Sequence, residues 1–172
     1  MDKETQKVVF SSADENWETP HDFFHWLHGI FHFTLDVAAN EKNHKLPRWL
    51  GPGSSLASDA LGVGWGNERC WMNPPYGRKI GYWVRKAWME SVKHPGYDGT
   101  HVVCLLPART DTVWFHSYCK YGQPIVFLRG RLKFVGADAS APFPSMLVIF
   151  NNPLVRDEME VAGFHEMECW RH

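Results

Sequence analysis

The tetrapeptide Asn73-Pro74-Pro75-Tyr76 combines residue types that suit the recognition of a planar amino group. The asparagine amide carries both a donor and an acceptor. The two prolines lack backbone N–H groups and restrict the backbone, so the Asn73 side-chain oxygen and the Pro74 carbonyl can face one point as two acceptors. The tyrosine ring that follows can stack on a planar ligand. The exocyclic amine of adenine or a glutamine amide would fit, whereas an ordinary turn between strand and helix is the alternative interpretation.

Polar residues also follow two other apolar stretches that we predict to be strands. Asp36 lies within residues 33–39, and Arg109 follows residues 101–106. In open parallel sheets, ligands bind at the carboxyl ends of the strands. We therefore expect Asp36, Asn73 and Arg109 to lie at the same edge of a sheet. Taken singly, Asp36 is more simply explained as a helix cap or a strand-end charge, and Arg109 as a surface charge.

The histidines and cysteines do not indicate a metal site. His21, His25 and His28 share one helical face, but no carboxylate or cysteine is fixed beside them, so a solvated face is the favoured interpretation. The cysteines show no CxxC spacing, and two of them lie in apolar stretches where a thiol behaves as a small hydrophobic group. We predict no metal, no disulfide framework and a reducing compartment. The four cysteines are Cys70, Cys104, Cys119 and Cys169.

Strand and helix patterns alternate along the chain and indicate an α/β fold. A helix is predicted from Thr19-Pro20, where threonine is a good N-cap and proline suits the first helical position, to a stop at Gly29. Residues 80–92 repeat apolar side chains at helical spacing, and residues 111–119 can form a short helix. The predicted strands are residues 33–39, 68–72, 101–106, 124–129 and 145–150.

Most of the predicted strands are continuously apolar, which is typical of a sheet covered on both faces. The last two strands have no helical segment between them, so we expect them to pair antiparallel. The prediction is therefore a mostly parallel sheet with a C-terminal antiparallel hairpin. Residues 40–69 are rich in glycine, proline, serine and asparagine and show no convincing helix.

The composition bounds the class of protein. A chain of 172 residues, 44% hydrophobic and 22% charged, suits one globular domain and excludes a disordered or collagen-like chain. Its apolar runs fall far short of the roughly 20 residues that a membrane span needs. The N-terminus does not resemble a secretory signal, so we expect a soluble intracellular protein. We predict a flexible arm over residues 1–16, one domain over residues 17–151 and an acidic tail over residues 152–172.

The charge distribution places a basic centre between acidic flanks. Residues 67–100 hold six Lys and Arg against three Asp and Glu, and residues 101–150 hold five against two. The flanks hold five against nine before this region and two against five after it. Such a pattern is compatible with a cleft that contacts phosphate, although charge runs are more often simply solvated faces. The high aromatic content of 15% fits core packing or base stacking.

Six short motifs, in order, resemble those of the phage-type DNA N6-adenine methyltransferases, the small Dam-like family. Together they cover about residues 14–151. The resemblance implies a compact class I methyltransferase-like (Rossmann-like) fold, S-adenosyl-L-methionine as methyl donor and double-stranded DNA as partner. It also implies a cytoplasmic location in a bacterial host of a phage or prophage. The motifs are Trp17-Glu18-Thr19-Pro20, Leu35-Asp36-Val37-Ala38-Ala39, Trp71-Met72-Asn73-Pro74-Pro75-Tyr76-Gly77, Leu105-Leu106-Pro107-Ala108-Arg109-Thr110-Asp111-Thr112, Arg129-Gly130-Arg131-Leu132-Lys133-Phe134 and Ala141-Pro142-Phe143-Pro144-Ser145.

The same resemblance implies roles for individual residues. The target adenine would leave the duplex, stack on Tyr76 and present its amine to the asparagine-proline acceptors. The implied catalytic residues are Asn73, Pro74, Pro75 and Tyr76. The implied cofactor-binding residues are Trp17, Thr19, Pro20, Asp36, Ala38, Ala39 and Asp59. The residues that we expect to contact DNA are Arg109, Arg129, Arg131 and Lys133.

Two departures from the wider methyltransferase pattern concern the cofactor region. No glycine-rich G-x-G follows the first predicted strand, and Ala38-Ala39 stands where small residues are needed. Only about 30 residues separate Ala39 from Asn73, which is too few for two full strand–helix units. One or both of these units must be shortened or missing. The acidic residue that would hold the cofactor ribose is therefore undetermined, with Glu41 as a candidate.

Alternative functions keep the motif but change the acceptor or the activity. A protein glutamine amide or an RNA adenine presents the same amino group to the same two acceptors. A non-catalytic DNA-binding phage protein is a third possibility, against which the intact Asn73-to-Tyr76 motif argues. Residues 40–60 and 129–143 are candidate loops for reading the target sequence.

Overall fold

The computed structural model describes residues 16–153. Apart from residues 16, 152 and 153, the predicted arm and the predicted acidic tail lie outside the described residues. The chain forms three α-helices, one short 3-10 helix and a five-stranded sheet within this range. In chain order the elements are α1 (His21–Phe31), β1 (Leu35–Asp36), β2 (Arg69–Met72), α2 (Ile80–Lys93), β3 (His101–Pro107), α3 (Val113–Ser117), the 3-10 helix (Cys119–Tyr121), β4 (Ile125–Phe127) and β5 (Ser145–Phe150).

The sheet is mixed, with strand order β1-β2-β3-β5-β4. The β1–β2 and β2–β3 pairs are parallel, whereas β5 runs antiparallel to both β3 and β4. Parallel and antiparallel pairings are thus equally frequent, and the sheet is not mostly parallel in its pairing. The last two strands do pair antiparallel, but β5 lies inside the sheet and residues 128–144 separate it from β4. This mixed α/β architecture is consistent with a methyltransferase-like fold.

The core sits around β3 and β5, in which every residue is buried. Both faces of these strands are covered, and this explains why their sequences are continuously apolar. Each of these two helices buries one apolar side. α1 buries four aromatic and aliphatic side chains, and α2 buries three aliphatic side chains at helical spacing. The buried apolar residues are Phe23, Phe24, Leu27 and Phe31 in α1 and Ile80, Val84 and Ala87 in α2.

Strand β1 is much shorter than the predicted residues 33–39. Its outer edge is covered by the following loop, because the Asp36 amide donates to the Arg48 carbonyl (3.0 Å) and the Leu50 amide donates to the Asp36 carbonyl (2.8 Å). The residues between β1 and β2 form no helix and no further named strand. This loop therefore lies at the sheet edge, in the part of the chain where we expect one or both strand–helix units to be shortened or missing.

The helix boundaries differ from the prediction at three points. Pro20, and not Thr19, is the N-cap of α1, and no side chain caps that end. The helix continues past Gly29 to Phe31, because His32 adopts the left-handed conformation (φ 51°) and its amide closes the last turn on the His28 carbonyl. α3 is confined to residues 113–117. No helix among residues 16–153 is long and apolar enough to cross a membrane.

Candidate active site

A cavity of about 400 Å³ opens at the carboxyl ends of β1 and β2. The two strands are parallel neighbours, with Leu35 opposite Cys70 and Asp36 opposite Trp71. The residues that follow each strand therefore reach the same edge of the sheet, as expected for a ligand site in an α/β fold. Its wall includes Asn16, Trp17, Glu18, Thr19, Asp36, Ala38, Ala39, Asn40, Asn43, Lys45, Gly51, Pro52, Ser58, Asp59, Ala60, Trp71, Asn73, Pro74, Pro75 and Trp83.

The loop after β1 closes one side of this cavity through a tight backbone approach. Gly51 adopts φ +138°, and a Cβ atom at this position would collide with the carbonyl oxygen of Ala39. Only glycine permits this approach and this backbone angle. The Ala39 amide also donates to the Leu50 carbonyl (3.1 Å). Residues 50–52 are thereby fixed against the residues that follow β1.

The Asn73 amide is oriented by the segment that precedes α1. Its Nδ2 donates to the Trp17 carbonyl oxygen (2.5 Å) and to the Thr19 hydroxyl oxygen (2.9 Å). A carbonyl oxygen only accepts hydrogen bonds, so the nitrogen must face Trp17 and the amide has a single orientation. The other amide atom, Oδ1, is buried and has no hydrogen-bond partner among the described residues. A buried acceptor without a donor is costly, and it marks a place where a donor from a ligand would be favourable.

Asp36 supplies a buried carboxylate to the same cavity. The side chain is 3% exposed, and its oxygens accept hydrogen bonds from the backbone amides of Lys45 (2.9 Å) and Ala38 (3.4 Å). Burial raises the pKa of Asp36 to about 6, although these two amides and the Lys45 charge act in the opposite direction. The carboxylate is thus under-compensated and would be stabilised by a cationic ligand.

An ion pair joins the two chain segments on either side of the cavity. Lys45 Nζ lies 2.7 Å from Glu18 Oε1, and the lysine side chain is 5% exposed. Glu18 also lies 3.9 Å from His21. The Val135 amide donates to the Glu18 carbonyl (2.9 Å). Glu18 therefore connects residues 16–19 both to the loop after β1 and to the segment that follows β4.

Tyr76 lies in a cluster of four aromatic rings. Its hydroxyl donates to the Leu105 carbonyl (3.1 Å), and its ring makes edge contacts with Phe143 (5.6 Å) and Phe134 (6.2 Å). Trp17 contacts the same two phenylalanines, at 5.3 Å each. The tyrosine is 5% exposed, and burial raises its pKa well above the usual value. Tyr76 does not line the cavity, so it is not presented as an open stacking surface in this structure.

A family model for the DNA N-6-adenine-methyltransferases (Dam) matches residues 6–163. The chain belongs to the DNA N-6-adenine-methyltransferase (Dam) family. A DNA N-6-adenine-methyltransferase from Haemophilus phage HP1 (strain HP1c1) is 30% identical over an alignment of 174 residues, which covers 95% of this chain and 95% of the phage protein. The protein is accordingly an enzyme that methylates adenine in DNA.

The cavity of this Dam-family enzyme gathers most of the residues assigned by resemblance. Three of the four implied catalytic residues and six of the seven implied cofactor residues line it. Tyr76 and Pro20 are the two that do not. Asp59 lies at an exposed part of the wall, where its carboxylate accepts from the Leu61 amide (3.0 Å). The candidate ribose ligand Glu41 is exposed and is not part of the wall.

The four basic residues expected to contact DNA lie outside the cavity. Arg109, Arg129, Arg131 and Lys133 are all exposed. Arg109 follows β3, at the same sheet edge as the cavity. The other three precede Phe134, whose ring contacts Trp17 at 5.3 Å. The segment 129–133 therefore leads directly into the aromatic cluster beside the site.

The remaining titratable groups of the described residues do not form a metal site. Within residues 16–153, no group of three or more His, Cys, Asp or Glu side chains is arranged to hold a metal ion. His28 stacks on Phe24 at 5.6 Å, and its pKa is lowered by burial and by the neighbouring His32 and His25. The described cysteines are buried, and burial raises the pKa of Cys119 to about 12. These thiols are inert core residues.

Sequence reasoning missed several residues that build the site. Glu18 and Lys45 were not assigned roles, although their ion pair joins two parts of the wall. Thr19 is predicted as a helix cap and, by resemblance, as a cofactor residue, but the contact in which its hydroxyl accepts from Asn73 Nδ2 was missed. Gly51 carried a usable signal, because a glycine flanked by proline in a loop indicates a special backbone angle. The ion pair and the threonine contact join positions 27 and 54 residues apart, and no local pattern reveals them.

Proposed function

We propose that this enzyme uses S-adenosylmethionine and methylates the N6 amine of an adenine that has been flipped out of duplex DNA. The observation that carries the proposal is Asn73 Oδ1, a buried acceptor without a partner among the described residues, on the wall of a 400 Å³ cavity. Adenine N6 carries two hydrogens and therefore supplies the donor that this atom lacks. The family assignment, which concerns adenine in DNA, points to the same amine.

The chemistry of the cavity wall fits S-adenosylmethionine. The cofactor carries an electrophilic methyl group on a sulfonium, together with an ammonium group. Asp36 would hold the ammonium, because its buried carboxylate gains most from a positive charge. Ala38 and Ala39 leave room for close approach, and Asp59 lies on the same wall. Trp17 and Thr19 complete the wall next to Asn73.

Asn73 and Pro74 would activate the amine by position. The N6 lone pair of adenine is delocalised into the ring and is a poor nucleophile. Asn73 Oδ1 would accept one amine hydrogen and the Pro74 carbonyl the other, since no described residue donates to that carbonyl. Two fixed acceptors draw the hydrogens towards a tetrahedral arrangement and free the lone pair to point at the methyl carbon. The N6 nitrogen would gain the methyl group as the bond between that methyl and the sulfonium sulfur breaks, which leaves a neutral thioether as the leaving group, and N6 would then lose one proton to solvent, because an amide is not a base.

A flipped base also needs a stacking partner. The family resemblance assigns this role to Tyr76, whose ring is covered by Phe143 and Phe134 in this structure. Stacking on Tyr76 requires the Phe143 contact to open when DNA binds. Phe143 is only partly buried and lies in the loop between β4 and β5, so it is the neighbour most able to move.

The decisive experiment is methyl transfer from radiolabelled S-adenosylmethionine to unmethylated duplex DNA, with nucleoside analysis of the product. We expect N6-methyladenine with the wild-type enzyme and a loss of several orders of magnitude in Asn73→Ala, while calorimetry shows that the variant still binds the cofactor. Label in RNA or in a protein glutamine, but not in DNA, would contradict the proposed acceptor. Failure of the wild-type protein to bind the cofactor would contradict the proposed donor.

A further inference from the structure

A second concave surface lies between α2 and α3. It encloses about 310 Å³ and is more open than the cavity at the sheet edge. Gly81 of α2 lies next to Trp114 of α3, since a Cβ atom at Gly81 would be in van der Waals contact with the Trp114 Cβ at 3.5 Å. We refer to it as the α2–α3 groove. Its lining residues are Arg78, Gly81, Tyr82, Arg85, Val113, Trp114, Ser117 and Tyr118.

Within residues 16–153, no acidic side chain balances the positive charge of the groove. Arg78 and Arg85 are exposed, and neither forms an ion pair with a described residue. None of the lining residues is acidic. Two acidic residues lie near the groove in sequence: Asp111, two residues before α3, is exposed to solvent, and Glu90, five residues after Arg85, is paired with Lys86 and Lys93. The guanidinium groups are therefore available to an anionic ligand, for which their planar fork is well suited.

Aromatic side chains lie next to these arginines. Tyr82 is 63% exposed, and it shares one helical face with Arg85, three residues further along α2. Trp114 and Tyr118 form the opposite wall and are partly buried. Val113 adds an apolar side chain that is 82% exposed. Flat rings beside guanidinium groups are the combination by which proteins hold the backbone and bases of nucleic acids.

The groove begins at the edge of the sheet that carries the proposed active site. Only Gly77 lies between Tyr76 and Arg78, and α3 follows the loop at the carboxyl end of β3. A polynucleotide whose target base enters the Asn73 site must continue past this edge. The groove offers it a charged and aromatic path that is separate from the segment 129–133.

We propose that the α2–α3 groove binds the sugar-phosphate backbone of the DNA substrate next to the target nucleotide. Arg78 and Arg85 contact phosphates, and Tyr82 packs against a sugar or a base. This inference rests on the proposed function, in which DNA is the methyl acceptor. Charge complementarity selects this occupant, and the exposed ring of Tyr82 favours a nucleic acid over an acidic peptide.

The test measures the salt dependence of DNA affinity for Arg78→Gln and Arg85→Gln, singly and together, on unmethylated duplex DNA. Each phosphate contact contributes about 0.9 to the slope of log affinity against log salt, so the double variant should flatten the slope by about 1.8. Tyr82→Ala should weaken binding with little change in slope. Lys120→Gln removes the same charge as each single variant from an exposed position outside the groove and should not change the slope beyond error.

The outcomes separate this inference from the proposed function. If the wild-type enzyme methylates DNA and the double variant keeps the wild-type slope, the groove does not contact phosphate and only this inference fails. If the wild-type protein binds no DNA, both proposals fail. A flattened slope with unchanged S-adenosylmethionine affinity in calorimetry supports the groove, because a general folding defect would reduce both.

Discussion

The Thr19 hydroxyl oxygen accepts a hydrogen bond from Asn73 Nδ2 at 2.9 Å, across a sequence separation of 54 residues. Thr19 is 2% exposed, so water does not compete for this contact. The Trp17 carbonyl oxygen accepts from the same nitrogen. The segment before α1 thus determines which atom of the asparagine amide faces the cavity. Thr19 is a positioning residue for Asn73 in the proposed mechanism.

Replacing Thr19 by valine should lower kcat roughly fivefold to tenfold with little change in the KM for DNA. Valine has a similar shape but cannot accept from Asn73 Nδ2, and one hydrogen bond contributes about 1 kcal/mol. Steady-state kinetics with saturating S-adenosylmethionine measure the effect. Thr19→Ser keeps the hydroxyl and should restore most of kcat. A purely structural role for Thr19 would leave kcat per folded molecule unchanged in the valine variant.

The affinity for S-adenosylmethionine should depend on pH through Asp36. With a pKa of about 6 in the free protein, the carboxylate is protonated at pH 5 and cannot attract an ammonium group. Affinity should rise by up to tenfold per pH unit below 6 and reach a plateau above 7. Calorimetry from pH 5 to pH 8 measures this rise. Asp36→Asn should bind weakly and without the rise, and an unchanged profile in that variant would assign the titration to another group.

Asp36 should also reduce the free energy of unfolding as pH increases. Its pKa is 3.8 in the unfolded chain and about 6 in the folded one, so the folded state holds the extra proton between these values. Stability is therefore lost as pH rises through this window, by an amount on the order of 3 kcal/mol. Urea unfolding of the wild type and of Asp36→Asn across pH 4–7 isolates the contribution. Parallel pH profiles for the two proteins would show that the carboxylate does not titrate there.

Glu90 should act with the opposite sign and at lower pH. Burial raises the pKa of this carboxyl, but the Trp65 amide (3.0 Å) and the two lysines Lys86 and Lys93 (2.9 Å each) outweigh it and lower the pKa to about 2. Its stabilisation is complete above pH 4.5 and is lost as pH falls towards 2. Glu90→Gln should lose on the order of 2 kcal/mol at pH 7 and progressively less below pH 4.5.

A control for Glu90 is available on the same helix. Lys93 is half exposed, so Lys93→Ala should cost less than about 1 kcal/mol. Urea unfolding measures both variants under the same conditions. An equal loss of unfolding free energy in the two variants would indicate that the exposed Lys93 contact accounts for the whole effect of Glu90. The hydrogen bond from the Trp65 amide would then contribute nothing, which would contradict this prediction. That amide ties the 60–65 loop, which includes the cavity residue Ala60, to α2.

Neutralising Arg129, Arg131 and Lys133 together should weaken DNA binding and flatten its salt dependence by up to about 2.7, if each contacts one phosphate. The three side chains are exposed and lie next to the aromatic cluster. Fluorescence anisotropy with labelled duplex DNA at several salt concentrations measures the slope. Lys120→Gln again serves as the charge control. A wild-type slope in the triple variant would show that these three side chains do not contact phosphate and are ordinary solvated surface residues.

Local patterns predicted the parts of this protein whose structure is determined locally. The continuous apolar run at residues 145–150 is β5 without adjustment, and the helical spacing after residue 80 is α2, which extends one residue further. The proximity of Asp36 and Asn73 also followed from sequence, because parallel neighbouring strands end at one edge. The prediction of a mostly parallel sheet was not confirmed as a whole: β1, β2, β3 and β4 run in one direction, but β5 is inserted between β3 and β4 and pairs antiparallel with both, and no local pattern reveals this insertion.

The wall of the site was less predictable for a physical reason. Threonine is a residue type that often caps helices, which is why Thr19 is predicted as the N-cap. In the structure the Thr19 hydroxyl instead accepts a hydrogen bond from Asn73, and Pro20 is the N-cap. Tyr76 is the last residue of a motif that predicts a ring accessible for stacking, yet Phe143 and Phe134 pack against this ring in the structure. The segment that covers the outer edge of β1 has no strand pattern in its sequence. A few backbone hydrogen bonds at residues 48–50 hold it in place, and such bonds do not require a particular side-chain pattern.

In the proposed mechanism, Asn73 Oδ1, which has no hydrogen-bond partner among the described residues, would also discriminate between nucleobases. Guanine and thymine present a carbonyl oxygen where adenine presents its amine, and oxygen facing oxygen leaves both acceptors desolvated and repelling one another. A base that already carries one methyl group keeps a single hydrogen, so it satisfies either Asn73 or Pro74 but not both. In this mechanism the product would bind less well than the substrate, which would favour release after one transfer and oppose a second methylation. Fidelity and turnover would then originate in the same missing hydrogen bond.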